Sequence, residues 1–74
     1  MDSKEIRRLL TDSPFKPFTV VMAGEKSYRI DHPEFAWLNP TGRILVVATE
    51  PDEGTAILDV PLIARVELPG TAKR

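Results

Sequence analysis

The chain has 74 residues, 42% hydrophobic and 28% charged, with no cysteine. These values point to one globular domain over residues 1–74 and exclude a disulfide scaffold, a thiolate metal site and a disordered chain. Ten Lys and Arg against eleven Asp and Glu give a formal charge of -1, which counts against a dedicated nucleic-acid binder.

The N-terminal residues predict a short helix over about 3–12. Asp2 stands three residues before Glu5, a capping-box spacing with Asp in the cap position. Ile6, Leu9 and Leu10 then form one apolar stripe. The helix ends at Asp12-Ser13-Pro14, because the residue before a proline avoids the helical region. A helix this short is marginal alone and must dock on something.

Short strands follow over about 18–68. Residues 18–22 alternate, with Phe18, Val20 and Met22 on one face and Thr19 and Val21 on the other. A turn at Ala23-Gly24-Glu25 leads into a second strand over 26–30, and the two read as a hairpin. Asp31-His32-Pro33 bends the chain, and 35–38 is a short apolar continuation. Asn39-Pro40-Thr41-Gly42 is a turn. Residues 44–48 form an unbroken apolar run, the candidate for a central strand buried on both faces. An acidic, solvated turn at 50–53 precedes a strand over 55–59, and Val60-Pro61-Leu62 makes a tight corner. The last strand covers 63–68, with Ile63 and Arg65 facing one way and Ala64, Val66 and Leu68 the other. Residues 70–74 read as a frayed tail.

The expected fold is therefore mainly β (α+β): a short N-terminal helix and a five- to six-stranded, strongly bent antiparallel sheet closing into a small Sm/SH3-like barrel. Ile44, Val46, Val20, Ile57 and Val66 are the expected shared core.

Two resemblances can be stated on particular residues. The string Pro14-Phe15-Lys16-Pro17-Phe18, with Val20, Gly24, Tyr28, His32-Pro33-Glu34-Phe35, Pro40, Gly42-Arg43 and Ile57 with Asp59, resembles a family of short uncharacterised bacterial proteins over residues 6–68. It implies no activity. The helix, bent strands and apolar corner before the last strand are similar to the Sm-like proteins, including the bacterial Hfq family, which form rings by edge-strand pairing and bind single-stranded RNA. The Lys-His pair that the Hfq family carries in that corner is absent; Asp59, Val60, Pro61 and Leu62 stand there. The resemblance thus implies a fold and transfers no RNA-binding residue.

Few residues point to chemistry. His32 is the single histidine and sits between Asp31 and Glu34, but adjacent strand residues face opposite ways, and an X-Pro bend explains it. Asp31, Asp59 and Glu67 lie on different strands with nothing to bring them together. There is no nucleophile motif, phosphate loop or dinucleotide fingerprint. The expectation is no enzyme, no catalytic residue, no metal and no cofactor.

Surface is the alternative. Arg7, Arg8, Lys16, Arg29 and Arg43 are cations, and Tyr28, Phe35 and Trp37 are aromatic. Tyr28 and Phe35 read as core. An outward Trp37 would mark an interface, as would the last strand, through Ile63, Arg65 and Glu67, since no following element covers its edge. The expected function is a non-catalytic protein-interaction or self-assembly module, with a homo-oligomer or another protein as partner. An unstapled domain near the lower size limit gains stability this way. The second reading is an Sm-like RNA-binding ring, with Arg29, His32 and Arg43 as contacts and stacking on exposed rings; nucleic acid is not favoured. No apolar run approaches a membrane span and residues 1–5 lack the apolar segment of a signal peptide, so the expected compartment is the cytoplasm.

Overall fold

Asp2 opens the helix. In a computed structural model that describes residues 2–48 and 54–68, its carboxylate accepts the Lys4 amide at 3.0 Å, satisfying one of the free N–H groups of the first turn. The capping box is not reciprocal, because Glu5 turns outward to pair with Arg8. Helix α1 runs Ser3–Thr11 and buries Ile6 and Leu9, with Leu10 packed at the margin of the core. The acidic turn expected at 50–53 and the tail expected at 70–74 lie outside the described residues.

Six strands follow: β1 (Phe18–Met22), β2 (Ser27–Ile30), β3 (Ala36–Leu38), β4 (Ile44–Ala48), β5 (Thr55–Asp59) and β6 (Ile63–Glu67). A 3-10 turn, Pro33–Phe35, joins β2 to β3, and a second, Val60–Leu62, joins β5 to β6. Both place proline in the first turn, where its fixed φ is already suitable and its missing N–H is not needed. The strands form two three-stranded antiparallel sheets, ordered β2-β1-β6 and β3-β4-β5. Among the described residues no hydrogen-bonded ladder closes these sheets into a barrel.

The core lies between the two sheets and the helix. Ile6, Phe18, Val20, Ile30, Leu45 and Val47 are its most enclosed side chains, with Leu38, Leu58, Val60 and Ile63 around them. This corrects the sequence expectation in several places. Val20 is buried as expected, but β4 points Leu45 and Val47 inward and leaves Ile44 and Val46 half-buried on its outer side. The central run is therefore not buried on both faces. Ile57 faces outward, and its neighbour Leu58 takes the core position. Val66 is half-buried but does pack on the core.

The face assignment of β6 also differs. Val21 pairs with Arg65 and Met22 with Ile63, so the register slips by one residue at Ala64. The bulge resets the side-chain alternation, and Ile63 and Val66 both reach the core. Tyr28 packs on the core as expected. Phe35 does not: it is 41% exposed, because the 3-10 turn interrupts the strand alternation.

Among the described residues Glu25, Gly42 and Gly54 (φ 86°) occupy the left-handed backbone region. Gly42 (φ 78°) occupies it in the β3–β4 connection. Glu25 (φ 75°) occupies it in the β1–β2 turn, where the Glu25 amide donates to the Met22 carbonyl and the Met22 amide to the Lys26 carbonyl. A side chain pays a conformational penalty there that glycine avoids. Glu25→Gly is expected to raise stability by about 0.5–1 kcal/mol, read as a higher midpoint of urea unfolding. The exposed Glu25–Arg65 pair at 4.0 Å that it removes contributes little.

Candidate functional site

Two surfaces stand out, a cleft and a sheet face, and they meet at Ala48 and Thr55. The first is an open cleft of about 870 Å³, lined by Ser27, Tyr28, Arg29, Asp31, His32 and Phe35 with Ala48 and Thr55 opposite. It lies between β2 and the ends of β4 and β5. The 3-10 turn sets His32 edge-on to Phe35, with ring centroids 5.3 Å apart. Tyr28 rests half-buried on the core and has the Lys26 ammonium 5.9 Å from its ring centroid. Arg29 pairs with Asp31, so its charge is partly answered before any ligand arrives.

The second surface is the outer face of β3-β4-β5. The register aligns Trp37 with Val46 and Val46 with Ile57, which places the three side chains in one row across the sheet. Trp37 is 57% exposed and Ile57 72%. Ile44 extends the apolar area beside Asp59, and Ala48 beside Thr55. Asp59 is the one ionisable side chain that these three strands place on this face. Contiguous exposed apolar area rimmed by polar groups is characteristic of interaction sites.

The face continues into the outer edge of β5, which pairs with no strand among the described residues. The Val60 amide donates to the Arg43 carbonyl at 2.9 Å, which sets the parity of the β4–β5 ladder. Leu58 and Ala56 then bond to Leu45 and Val47, and the amides of Thr55, Ile57 and Asp59 point away from β4. The other edges are protected in recognised ways. Strand β3 has three residues, β2 carries Arg29, and β6 carries its bulge with Arg65 and Glu67. From Thr55 to Leu58, β5 has no charge and no proline.

The residues singled out in the sequence fall in different places. Arg29 and His32 share the cleft, while Arg43 lies off it, in the turn before β4. Trp37 is on the outer face. Ile63 is 3% exposed and packs in the core, so its side chain has no surface to offer a partner. Arg65 and Glu67 are exposed and bonded to each other at 2.9 Å. The Glu67 hydrogen bond is the main cause that holds the Arg65 guanidinium pKa above its ordinary value. In comparisons with family models, with curated proteins and with solved structures, nothing matches this chain.

Ile44, Val46 and Ile57 are the outer-face residues that the sequence expectation assigned to the core. A signal for Ile57 was present: Thr55 and Asp59 share its side of the strand, and two polar neighbours at i±2 mark a solvent face. Among the described residues no three His, Asp or Glu side chains gather as a metal site, and no helix is long and apolar enough to cross a membrane.

Proposed function

We propose that the protein is a non-catalytic interaction module that self-assembles through the β3-β4-β5 sheet, at the edge strand β5. Ile57 carries this reading, because it is 72% exposed on the edge strand β5, at the end of the row Trp37–Val46–Ile57, and places apolar surface in water where a second copy would meet it. The fold belongs to this reading as an open barrel of Sm/SH3-like outline. Its support is a bend between β2 and β3 that links the two sheets, and a 3-10 corner between β5 and β6. The resemblance to a family of short bacterial proteins stays part of the reading, and the cytoplasm is the proposed compartment. No catalytic group, metal or cofactor has a part in it.

Sedimentation velocity at micromolar concentration tests the reading. The wild type is expected to exceed 8.3 kDa and to dissociate on dilution. Ile57→Glu is expected to weaken association roughly severalfold, since like charges then face each other at the seam, and to keep the far-UV spectrum of the wild type, since the side chain is largely outside the core. A wild type that stays monomeric at high micromolar concentration would refute the proposal.

The cleft supports a second reading, an Sm-like RNA-binding ring, because Tyr28, His32 and Phe35 lie beside Arg29 as stacking surfaces beside a cation do. The near-neutral chain and the Arg29–Asp31 pair supply little counterion release. Binding of single-stranded RNA is therefore expected to be weak at ~150 mM salt. Submicromolar affinity there would bring this reading forward.

A further inference from the structure

We infer that the partner is a second copy of this chain, joined β5 to β5 about a twofold axis at Ile57. This rests on the self-assembly reading and specifies its geometry. Strand β5 is Thr55-Ala56-Ile57-Leu58-Asp59, with Ile57 at its centre. Its outer edge, which pairs with no strand among the described residues, presents the amides of Thr55, Ile57 and Asp59, as the ladder parity requires. An antiparallel pairing centred on Ile57 makes that residue a hydrogen-bonded pair with its own copy. The Asp59 amide then donates to the Thr55 carbonyl of the second copy, and the reverse bond forms by symmetry.

Side chains match in the same register. Thr55 falls opposite Asp59 of the second copy, so a hydroxyl donor faces a carboxylate, twice per dimer. Ile57 falls opposite Ile57, and Ala56 opposite Leu58 on the inner side. Each residue thus meets a compatible one, which is the requirement of an isologous interface. The product is a continuous six-stranded sheet whose outer face carries two Trp37–Val46–Ile57 rows end to end. A pairing of β5 with β6 would instead set an uncharged edge against Arg65 and Glu67, which already satisfy each other.

Charge placement at residue 55 tests this register. Thr55→Glu sets like charges opposite at both Thr55–Asp59 contacts and is expected to raise the dimer dissociation constant roughly two- to thirtyfold. Thr55→Lys sets opposite charges there and is expected to leave the constant unchanged or lower. The double variant Thr55→Glu with Asp59→Lys restores an attractive pair and is expected to recover wild-type association. Because the chain has no cysteine, Ile57→Cys with a short bis-maleimide provides an independent readout. It is expected to give a covalent dimer, whereas Ser27→Cys on β2 is not. Circular dichroism of each variant confirms folding. A wild-type monomer would overturn both the self-assembly reading and this geometry. A wild-type oligomer larger than two copies would overturn the geometry alone, as would a dimer in which the double variant fails to rescue or Ile57→Cys fails to cross-link.

Discussion

Leu45→Asp is expected to unfold the protein, whereas Val46→Asp, one residue along, is expected to leave it folded. Leu45 is 0% exposed and lies in register between Leu38 on β3 and Leu58 on β5, both in the core. A carboxylate there has no cation among its core neighbours, and a buried unpaired charge costs several kcal/mol. A domain of this size has a total stability of roughly 4–11 kcal/mol, so the penalty is comparable to the whole. Val46 is half-buried on the opposite side of the strand, where a carboxylate keeps contact with water and loses about 1–2 kcal/mol of apolar burial. Circular dichroism and thermal melting of the two variants check the contrast. A folded Leu45→Asp, or an unfolded Val46→Asp, would mean that β4 faces the other way.

Gly42→Ala is expected to cost about 3 kcal/mol, a large effect for one methyl group. Two causes add. The φ of 78° is unfavourable for a residue with a Cβ. The added Cβ would also stand 2.5 Å from Ser3 Oγ and 2.7 Å from Ser3 Cβ, and a Cβ moves only with its backbone. The clash therefore falls on the N-terminus of α1, where the chain also holds the Arg7 guanidinium within 3.4 Å of the Asn39 and Pro40 carbonyls. This turn is the seat on which the helix docks. Ser3→Gly in the Gly42→Ala background removes the clash and leaves the φ penalty, so it is expected to recover about half of the loss. Urea unfolding of the single and double variants gives the coupling. A Gly42→Ala protein as stable as the wild type would show that α1 does not rest on this turn.

Much of the fold was legible in the sequence, because local signals there agree with one another. Asp2, the 6–9–10 stripe and Pro14 bracket the helix. Gly24, Pro33, Gly42 and Pro61 mark turns at which the strands do end. The phase of the strands was less legible. Ile44-Leu45-Val46-Val47-Ala48 is apolar throughout, so alternation cannot say which side faces the core. The tertiary pairing decides it, and with it the exposure of Val46. In β6 the bulge at Ala64 breaks the alternation on which the assignment of Ile63 rested, and a one-residue slip exchanges the faces. Phe35 was misplaced for a related reason, since a 3-10 turn has a period that the strand pattern does not reveal.

The candidate site was legible only in part. The sequence says that Trp37 marks an interface if it faces outward, and the β3–β4 packing decides that it does. Arg29 and His32 do meet in one cleft, but Arg43 does not join them, since nothing in their spacing encodes the bend that separates them. The β5 edge could not be seen at all without the sheet order. An uncharged stretch is a liability only when its amides lack a partner, and that depends on which strand lies beside it.

The most direct measurement is amide hydrogen exchange of Ile57 and Asp59 as a function of protein concentration. Both amides point away from β4, while the Leu58 amide bonds to Leu45 within the chain. If copies pair through β5, protection at Ile57 and Asp59 rises with concentration in step with the measured mass, and Leu58 is protected throughout. Fast, concentration-independent exchange at Ile57 and Asp59 where the protein is demonstrably associated would contradict the account.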